Sequence, residues 1–251
     1  MEPDAWDKYA ENYHDEISSP LREGVKNPLL RELDKIENAK DKIIADIGCG
    51  RGEILDILAT KFKKVIAMDF SPAMIEVAKK HVSKENVEFY VRDMRELSEF
   101  KESFDVIVTV NSVLMPDIRD IKKALNSIND CLKKDGLFYG IFPAMDSILY
   151  QGFLIFEEQL KKYDDEKRAL KRAKRIIEKR NYDFIKGIYT EGENSQKFYY
   201  DFELKLRLKD AGFKYILLSR VLYSWPLNDL GESICFPGKP PVWDWFVSAK
   251  K

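Results

Sequence analysis

The run Ile43-Ile44-Ala45-Asp46-Ile47-Gly48-Cys49-Gly50-Arg51-Gly52-Glu53 decides the fold. An apolar, β-branched segment breaks into a Gly-x-Gly-x-Gly turn, and a helix-period segment follows. Glycines there let the backbone turn sharply and come close to a ligand, while the next helix offers free amides at its N-terminus. The reading is a nucleotide or nucleoside site at the end of a strand. Asp69 ends the next strand, twenty-one positions after Gly48. That is the spacing at which a carboxylate meets ribose hydroxyls in dinucleotide folds.

Working outward, short apolar runs alternate with helical stripes, as in an α/β fold whose parallel sheet is covered on both faces. Strands are expected over Lys42–Ile47, Lys64–Asp69, Val87–Arg92, Phe104–Val110 and Gly136–Phe142. Ser71 is placed to cap a helix with Pro72 at its first position, and Met74, Ile75, Ala78 and Val82 form the stripe. A second stripe, Ile118, Ile121, Leu125, Ile128 and Leu132, is expected to stop at Gly136 after Lys133 and Lys134. Upstream, residues 5–38 read as two helical pieces broken between Ser18 and Gly24. After Phe142 the alternation lapses, then resumes with a helix over Asp201–Asp210, a stop at Gly212, and strands near Phe213–Trp225 and Val242–Ser248. The lapse reads as a helix-rich insertion, with Phe156, Leu160, Tyr163, Leu170 and Ile177 at helical steps.

Composition bounds what the chain can be. It has 251 residues, 42 basic and 43 acidic side chains, a net charge of -1, and 45% hydrophobic residues. That is enough apolar surface to fold, and the balanced charge argues against a protein built mainly to coat nucleic acid. No run nears the roughly 20 apolar residues of a membrane helix, and Met-Glu-Pro-Asp lacks the features of a secretory signal, so a soluble cytoplasmic protein is expected. Cys49, Cys131 and Cys235 are odd in number and far apart, and His14 and His81 are the only histidines. Neither a disulfide framework nor a metal site is expected. His81, among lysines at a helix end, reads as exposed.

The details choose between cofactors. A dinucleotide fingerprint needs a third glycine where this chain has Glu53, so that pattern misses. Asp93, ending the third strand, can accept from an exocyclic adenine amine while Phe70 and Met94 cover the ring. One adenosine is provided for, with no second nucleotide site.

Here the chain resembles the class I S-adenosylmethionine-dependent methyltransferases. The matching elements are Asp46-Ile47-Gly48-Cys49-Gly50-Arg51-Gly52, Met68-Asp69-Phe70-Ser71-Pro72-Ala73-Met74, Arg92-Asp93-Met94, Phe104-Asp105-Val106-Ile107 with Asn111-Ser112-Val113-Leu114, and Leu132-Lys133-Lys134-Asp135-Gly136-Leu137-Phe138. The likeness is strong over 42–142 and looser over the last two strands. Asp135 departs from it, standing where the family often has proline. The resemblance implies a Rossmann-like seven-stranded sheet, mostly parallel with the last strand antiparallel, helices on both faces and the cofactor at the carboxyl ends of the strands. It implies S-adenosyl-L-methionine as cofactor, with Gly48 to Gly50 along the methionine part, Asp69 at the ribose, Asp93 and Met94 at the adenine, and Asn111 near the amino-acid end.

The expected organisation is a single domain over 1–251. It comprises an N-terminal helical cover at 1–41, the cofactor core at 42–142, a helical cap insertion at 143–200, and a closing helix with two strands at 201–251. Asp46 belongs to the candidate site but reads equally as a strand-edge cap, which is the preferred reading for Asp105. Cys49 lies in the loop as a small packing residue, and Met74 is either core or adenine wall. Trp6, Tyr9 and Tyr13 share a helical face before Arg22. They either pack the N-terminal helix or close the pocket, Tyr9 or Tyr13 over the cofactor and Arg22 toward the methionine carboxylate. His14 is the better-placed histidine for a base, although surface use is the simpler reading.

The insertion is expected to set the acceptor, with Tyr150, Phe153, Phe156, Phe198, Tyr199 and Tyr200 as pocket wall or as its own core. Residues 161–180 hold ten basic and four acidic side chains, a solvated helix face or a phosphate-binding one. The expected partner is a small-molecule methyl acceptor. A protein or tRNA acceptor docked on the basic helix is the enzymatic alternative, and a non-catalytic cofactor-binding protein the other. Asn111-Ser112-Val113-Leu114 lacks the Asn/Asp-Pro-Pro-aromatic element of the amide- and base-methylating subgroups.

Overall fold

The computed structural model describes residues 19–178, 181–192, 194–223, 236 and 238–251, except the side chains of Glu178 and Glu191. Trp6, Tyr9, Tyr13, His14, Trp225 and Cys235 lie outside the described residues. In chain order the elements are α1 (Leu29–Asp34), β1 (Ile43–Ile47), α2 (Leu55–Lys61), β2 (Lys64–Asp69), α3 (Pro72–His81), β3 (Val87–Val91), β4 (Phe104–Val110), α4 (Ile118–Cys131) and β5 (Leu132–Pro143). There follow α5 (Met145–Tyr163), α6 (Glu166–Glu178), β6 (Tyr182–Asp183), β7 (Ile188–Glu191), β8 (Asn194–Lys197), α7 (Asp201–Asp210), β9 (Lys214–Leu222) and β10 (Trp243–Lys250).

Seven strands form one sheet in the order β3-β2-β1-β4-β5-β10-β9. The first five are parallel, and β10 runs antiparallel between β5 and β9. Alternate residues of a strand face opposite layers. Ala45, Ile47, Ile66, Met68 and Ile107 pack with Ile121, Leu125 and Ile128 of α4 and Leu204 and Leu208 of α7. Ile44, Val65, Ala67, Val106 and Val108 pack with Leu29, Leu33, Leu55, Leu58 and Ile75 on the other side. Each central strand is thus mostly apolar because both its faces are covered.

The predicted helix ends hold at Ser71, whose hydroxyl accepts the Met74 amide at 3.1 Å with Pro72 following. The expected stop at Gly136 is corrected. Helix α4 ends at Cys131, and β5 begins at once with Leu132 pairing Phe104. The next pair is Val106 with Leu137, so residues 133–136 form a bulge, with Asp135 in the left-handed region at φ 61°. Ile118, counted in the stripe, is 49% exposed because it opens the helix above the sheet. Asp105 is an edge tie: its Oδ2 accepts the Ile43 amide at 2.8 Å and Lys133 Nζ at 2.9 Å. Upstream, α1 is the one α-helix among the described residues before β1.

The insertion has more than helices. Helices α5 and α6 are followed by a three-stranded antiparallel sheet, β6-β7-β8. Its strands are two to four residues long, too short for alternation to stand out in sequence, and the Tyr182, Tyr189 and Phe198 rings pack together on it. Lys197 anchors this sheet to the core. Its ammonium is 1% exposed, donates to Glu203 Oε2 at 2.8 Å and to the Lys186 carbonyl at 2.6 Å, and lies 5.1 Å from the Tyr199 ring. His81, at the end of α3, is exposed as expected.

Candidate functional site

A cavity of about 240 Å³ opens at the carboxyl ends of β1 to β4. Eight of the residues expected at a cofactor line it: Gly48, Gly50, Asp69, Phe70, Met74, Asp93, Met94 and Asn111. The chain crossover between β1 and β4, where strand order reverses, creates this crevice.

The glycine loop is shaped by two different demands. Gly48 sits at φ 78°, and a Cβ there would lie 2.2 Å from Ser112 Cβ. Its glycine is required by the loop after β4, since Ser112 Oγ donates to the Ile47 carbonyl at 3.0 Å. Gly50 sits at φ 51° with nothing within 4 Å of an added Cβ, so its bare backbone faces open space at the cleft wall. The Gly50 amide donates to Asp69 Oδ2 at 2.9 Å, and the Ser71 amide to Asp69 Oδ1 at 3.0 Å. Two backbone donors from either side of the cleft therefore fix the orientation of the Asp69 carboxylate.

At the β3 end, Asp93 is gripped by Arg95, whose Nε lies 3.0 and 2.9 Å from its two oxygens. Burial alone would raise the Asp93 carboxyl, but the Arg95 hydrogen bonds and charge outweigh it and hold it below its ordinary value. Arg95 also reaches Asp120 Oδ2 at 2.9 Å. Asp93, Asp120, Asp69 and Asp117 against Arg92 and Arg95 make the lining net negative, which favours a cationic ligand. Met74 is 2% exposed and lines the cavity.

Asp46 and Cys49 do not line the cavity. Asp46 is 2% exposed behind the loop, and burial, reinforced by Asp69 and Glu53, pushes its carboxyl up to about 7. Burial also pushes the Cys49 thiol far up, as suits a packing residue. Tyr13 lies outside the described residues, and Arg22 is not among the lining residues. The insertion aromatics are elsewhere too. Tyr199 is fully buried and donates to the Val113 carbonyl at 2.7 Å, Tyr150 packs 5.5 Å from Trp243, Phe156 joins the small core of α5 and α6, and Phe153 is 57% exposed. Phe198 belongs to the insertion sheet and Tyr200 stacks on Phe202 at 5.2 Å.

Sequence reasoning missed Arg92, Arg95, Leu114, Met115, Pro116, Asp117 and Asp120 in the wall. The Asp-x-Arg pattern of Asp93 and Arg95 was a usable signal for one of them. It also missed Asp244, which Asn111 Nδ2 meets at 3.0 Å from 133 positions away. No local pattern carries such a contact.

Residues 44–136 match the family model described as a methyltransferase domain. The chain is 31% identical over 120 residues to a malonyl-[acyl-carrier protein] O-methyltransferase of Bacillus anthracis, covering 47% of this chain and 44% of the relative. It is 26% identical over 116 residues to a ubiquinone biosynthesis O-methyltransferase of Coxiella burnetii, covering 45% and 49%. The chain thus spans about half the length of these curated relatives. The fold is similar to that of a SAM-dependent methyltransferase from Methanosarcina mazei, with a TM-score of 0.60 at 18% identity over 90% of this chain and 97% of that one. The strand order is thus that of the Rossmann-like fold of its methyltransferase neighbour, and residues 44–136 are similar to a methyltransferase domain.

Proposed function

We propose that the protein transfers a methyl group from S-adenosylmethionine, by in-line displacement, to an O, N or C atom of a small-molecule acceptor. The observation that carries this reading is the meeting of Gly50, Asp69, Asp93 and Asn111 in one net-negative cleft. The residues present fit the cofactor. Gly50 leaves open space where any side chain would intrude, Asp69 is oriented for ribose hydroxyls, and Phe70, Met74 and Met94 supply an apolar slot. The relatives named O-methyltransferases support small acceptors, and the modest cavity agrees.

When bound, the cofactor supplies a methyl group already activated by a sulfonium. The chain's own work is then positioning. The backbone amides of Gly50 and Ser71 hold Asp69, which would hold the ribose, and the loop 111–116 forms part of the cleft wall. Leu114, Met115 and Pro116 give that wall an apolar surface. A general base is needed only for an acceptor whose proton has a high pKa, and no histidine is among the lining residues.

The test is release of S-adenosylhomocysteine from purified protein supplied with S-adenosylmethionine and fractionated metabolites. Turnover with a small-molecule fraction supports the proposal. Binding with no release from metabolite or macromolecule pools would instead make it a binding protein. Helix α6 keeps a macromolecular acceptor as the second reading. Lys167, Lys171, Lys174 and Arg175 are exposed on it, while Arg168 lies 4.5 Å from the Tyr163 ring. Turnover confined to an RNA pool and lost on reversing Lys171, Arg172 and Arg175 would replace the small-molecule acceptor.

A further inference from the structure

The stretch 113–116 lies between two anchored ends. Before it, Ser112 Oγ donates to the Ile47 carbonyl at 3.0 Å, and after it Asp117 caps α4 by accepting the Arg119 amide at 2.7 Å. Leu114, Met115 and Pro116 line the cleft in between. Among the described residues, two hydrogen bonds alone tie this stretch to another element. The Tyr199 hydroxyl donates to the buried Val113 carbonyl at 2.7 Å, and the Lys197 amide donates to the Leu114 carbonyl at 2.9 Å.

Both donors belong to one short strap, 197–199, which continues from β8 of the insertion sheet. The strap is itself held on three sides. The Tyr199 amide donates to the Pro143 carbonyl at 2.7 Å and its carbonyl accepts the Met145 amide at 2.9 Å, which clips its backbone to the junction of β5 and α5. Its ring is fully buried and edge-on to Phe142, with centroids 5.2 Å apart. The Phe198 amide donates to the Gly187 carbonyl at 2.7 Å in the insertion, and the Lys197 ammonium donates to Glu203 on α7 at 2.8 Å. A buried carbonyl that loses its donor keeps its full desolvation cost, so the loop goes where the strap is.

We propose that Tyr199, with the Lys197 backbone beside it, is a positioning residue that sets the wall at 114–116 against the bound cofactor. The insertion then tunes cofactor affinity from outside the cleft, since none of residues 197–199 lines it. The inference rests on the cofactor reading above. Coupling between two sites is reciprocal, so a ligand resting on the wall also steadies the strap.

The experiment uses the full chain. Tyr199→Phe deletes the hydroxyl and keeps the ring against Phe142. In calorimetric titration it should bind S-adenosylhomocysteine about fivefold more weakly than the wild type, the scale of a residue that acts through its neighbour. Val65→Ala, at the amino end of β2 and away from the cleft, also removes buried packing and should bind as the wild type does, which separates positioning from a general loss of stability. Hydrogen exchange read by mass spectrometry without ligand should be faster over 111–117 in Tyr199→Phe and unchanged over β1 and β2. Added S-adenosylhomocysteine should slow exchange over 194–200 in the wild type, and less so in the variant. Unchanged affinity in Tyr199→Phe, an equal loss in Val65→Ala, or wild-type exchange over 111–117 overturns the inference. Wild-type protein that does not bind S-adenosylhomocysteine overturns the cofactor reading itself, while exchange over 111–117 still reports whether Tyr199 holds the wall.

Discussion

Asp46 is a carboxyl that the fold holds at a disadvantage, and replacing it should show by how much. It sits in β1 with 2% of its surface exposed, paired in register with Ala67 and Val108, with the carboxyl groups of Asp69 and Glu53 near enough to repel its charge. Its carboxyl rises from 3.8 to about 7 on folding, burial being the largest cause. The folded state therefore keeps this proton after the unfolded chain has released it, and stability falls as pH rises between those two values. About three pH units at about 1.4 kcal/mol each give a penalty of roughly 4 kcal/mol above pH 7. Asp46→Asn is close to isosteric and carries no charge at any pH. Urea unfolding of both proteins at pH 4.5, 6 and 8 isolates the group, because every other titration is common to the pair. The variant should gain on the wild type steadily across the series and lead at pH 8 by a few kcal/mol. A stability difference that is the same at all three pH values would refute the reasoning. It would mean that the glycine loop accommodates an ionised Asp46, through solvent or through the residues packed beside it.

The two loop glycines should separate cleanly. Gly50→Ala puts a methyl group into open space at φ 51°, so urea unfolding should report a loss of only about 1–2 kcal/mol while calorimetry shows weakened S-adenosylhomocysteine binding. Gly48→Ala adds overlap with Ser112 to the same strain and should cost well over 2 kcal/mol, part of it recovered by Ser112→Gly. Lys197→Met leaves Glu203 to Arg207, whose terminal nitrogen lies 2.7 Å away, so the loss in urea unfolding should be about 2 kcal/mol, below the roughly 3–5 kcal/mol of a fully orphaned buried charge. A stabilised variant would show that the buried ammonium costs more than its partners return. Cys49 and Cys131, the latter pushed up to about 12 by burial, should both stay unlabelled by iodoacetamide at pH 8 in the native protein when its peptides are read by mass spectrometry.

What could be read from the sequence follows from how local each cause is. Strands β1, β2 and β4 were legible because a strand covered on both faces is a mostly apolar run, so the order of residues along it carries the signal. Ser71 and Pro72 announced α3 because a cap bonds three residues onward. The boundary at β5 was misplaced because Lys133, Lys134 and Asp135 look like the end of a helix, while the register with β4 makes them a bulge inside a strand. That register belongs to another element and cannot be seen in the run itself. The same division runs through the site. Asp69 ends β2, and Gly50 and Asp93 follow closely on the ends of β1 and β3, and a strand end can be counted in sequence. The wall supplied by Leu114, Met115 and Pro116 is held from outside, by the Lys197 amide on the Leu114 carbonyl at 2.9 Å and the Tyr199 hydroxyl on the Val113 carbonyl. Those donors return from an insertion some eighty residues later, so this wall of the cleft is shaped by contacts between distant parts of the chain. The glycine-loop end of the cleft therefore follows from short-range geometry, whereas the wall at 114–116 follows from long-range contacts made by the insertion.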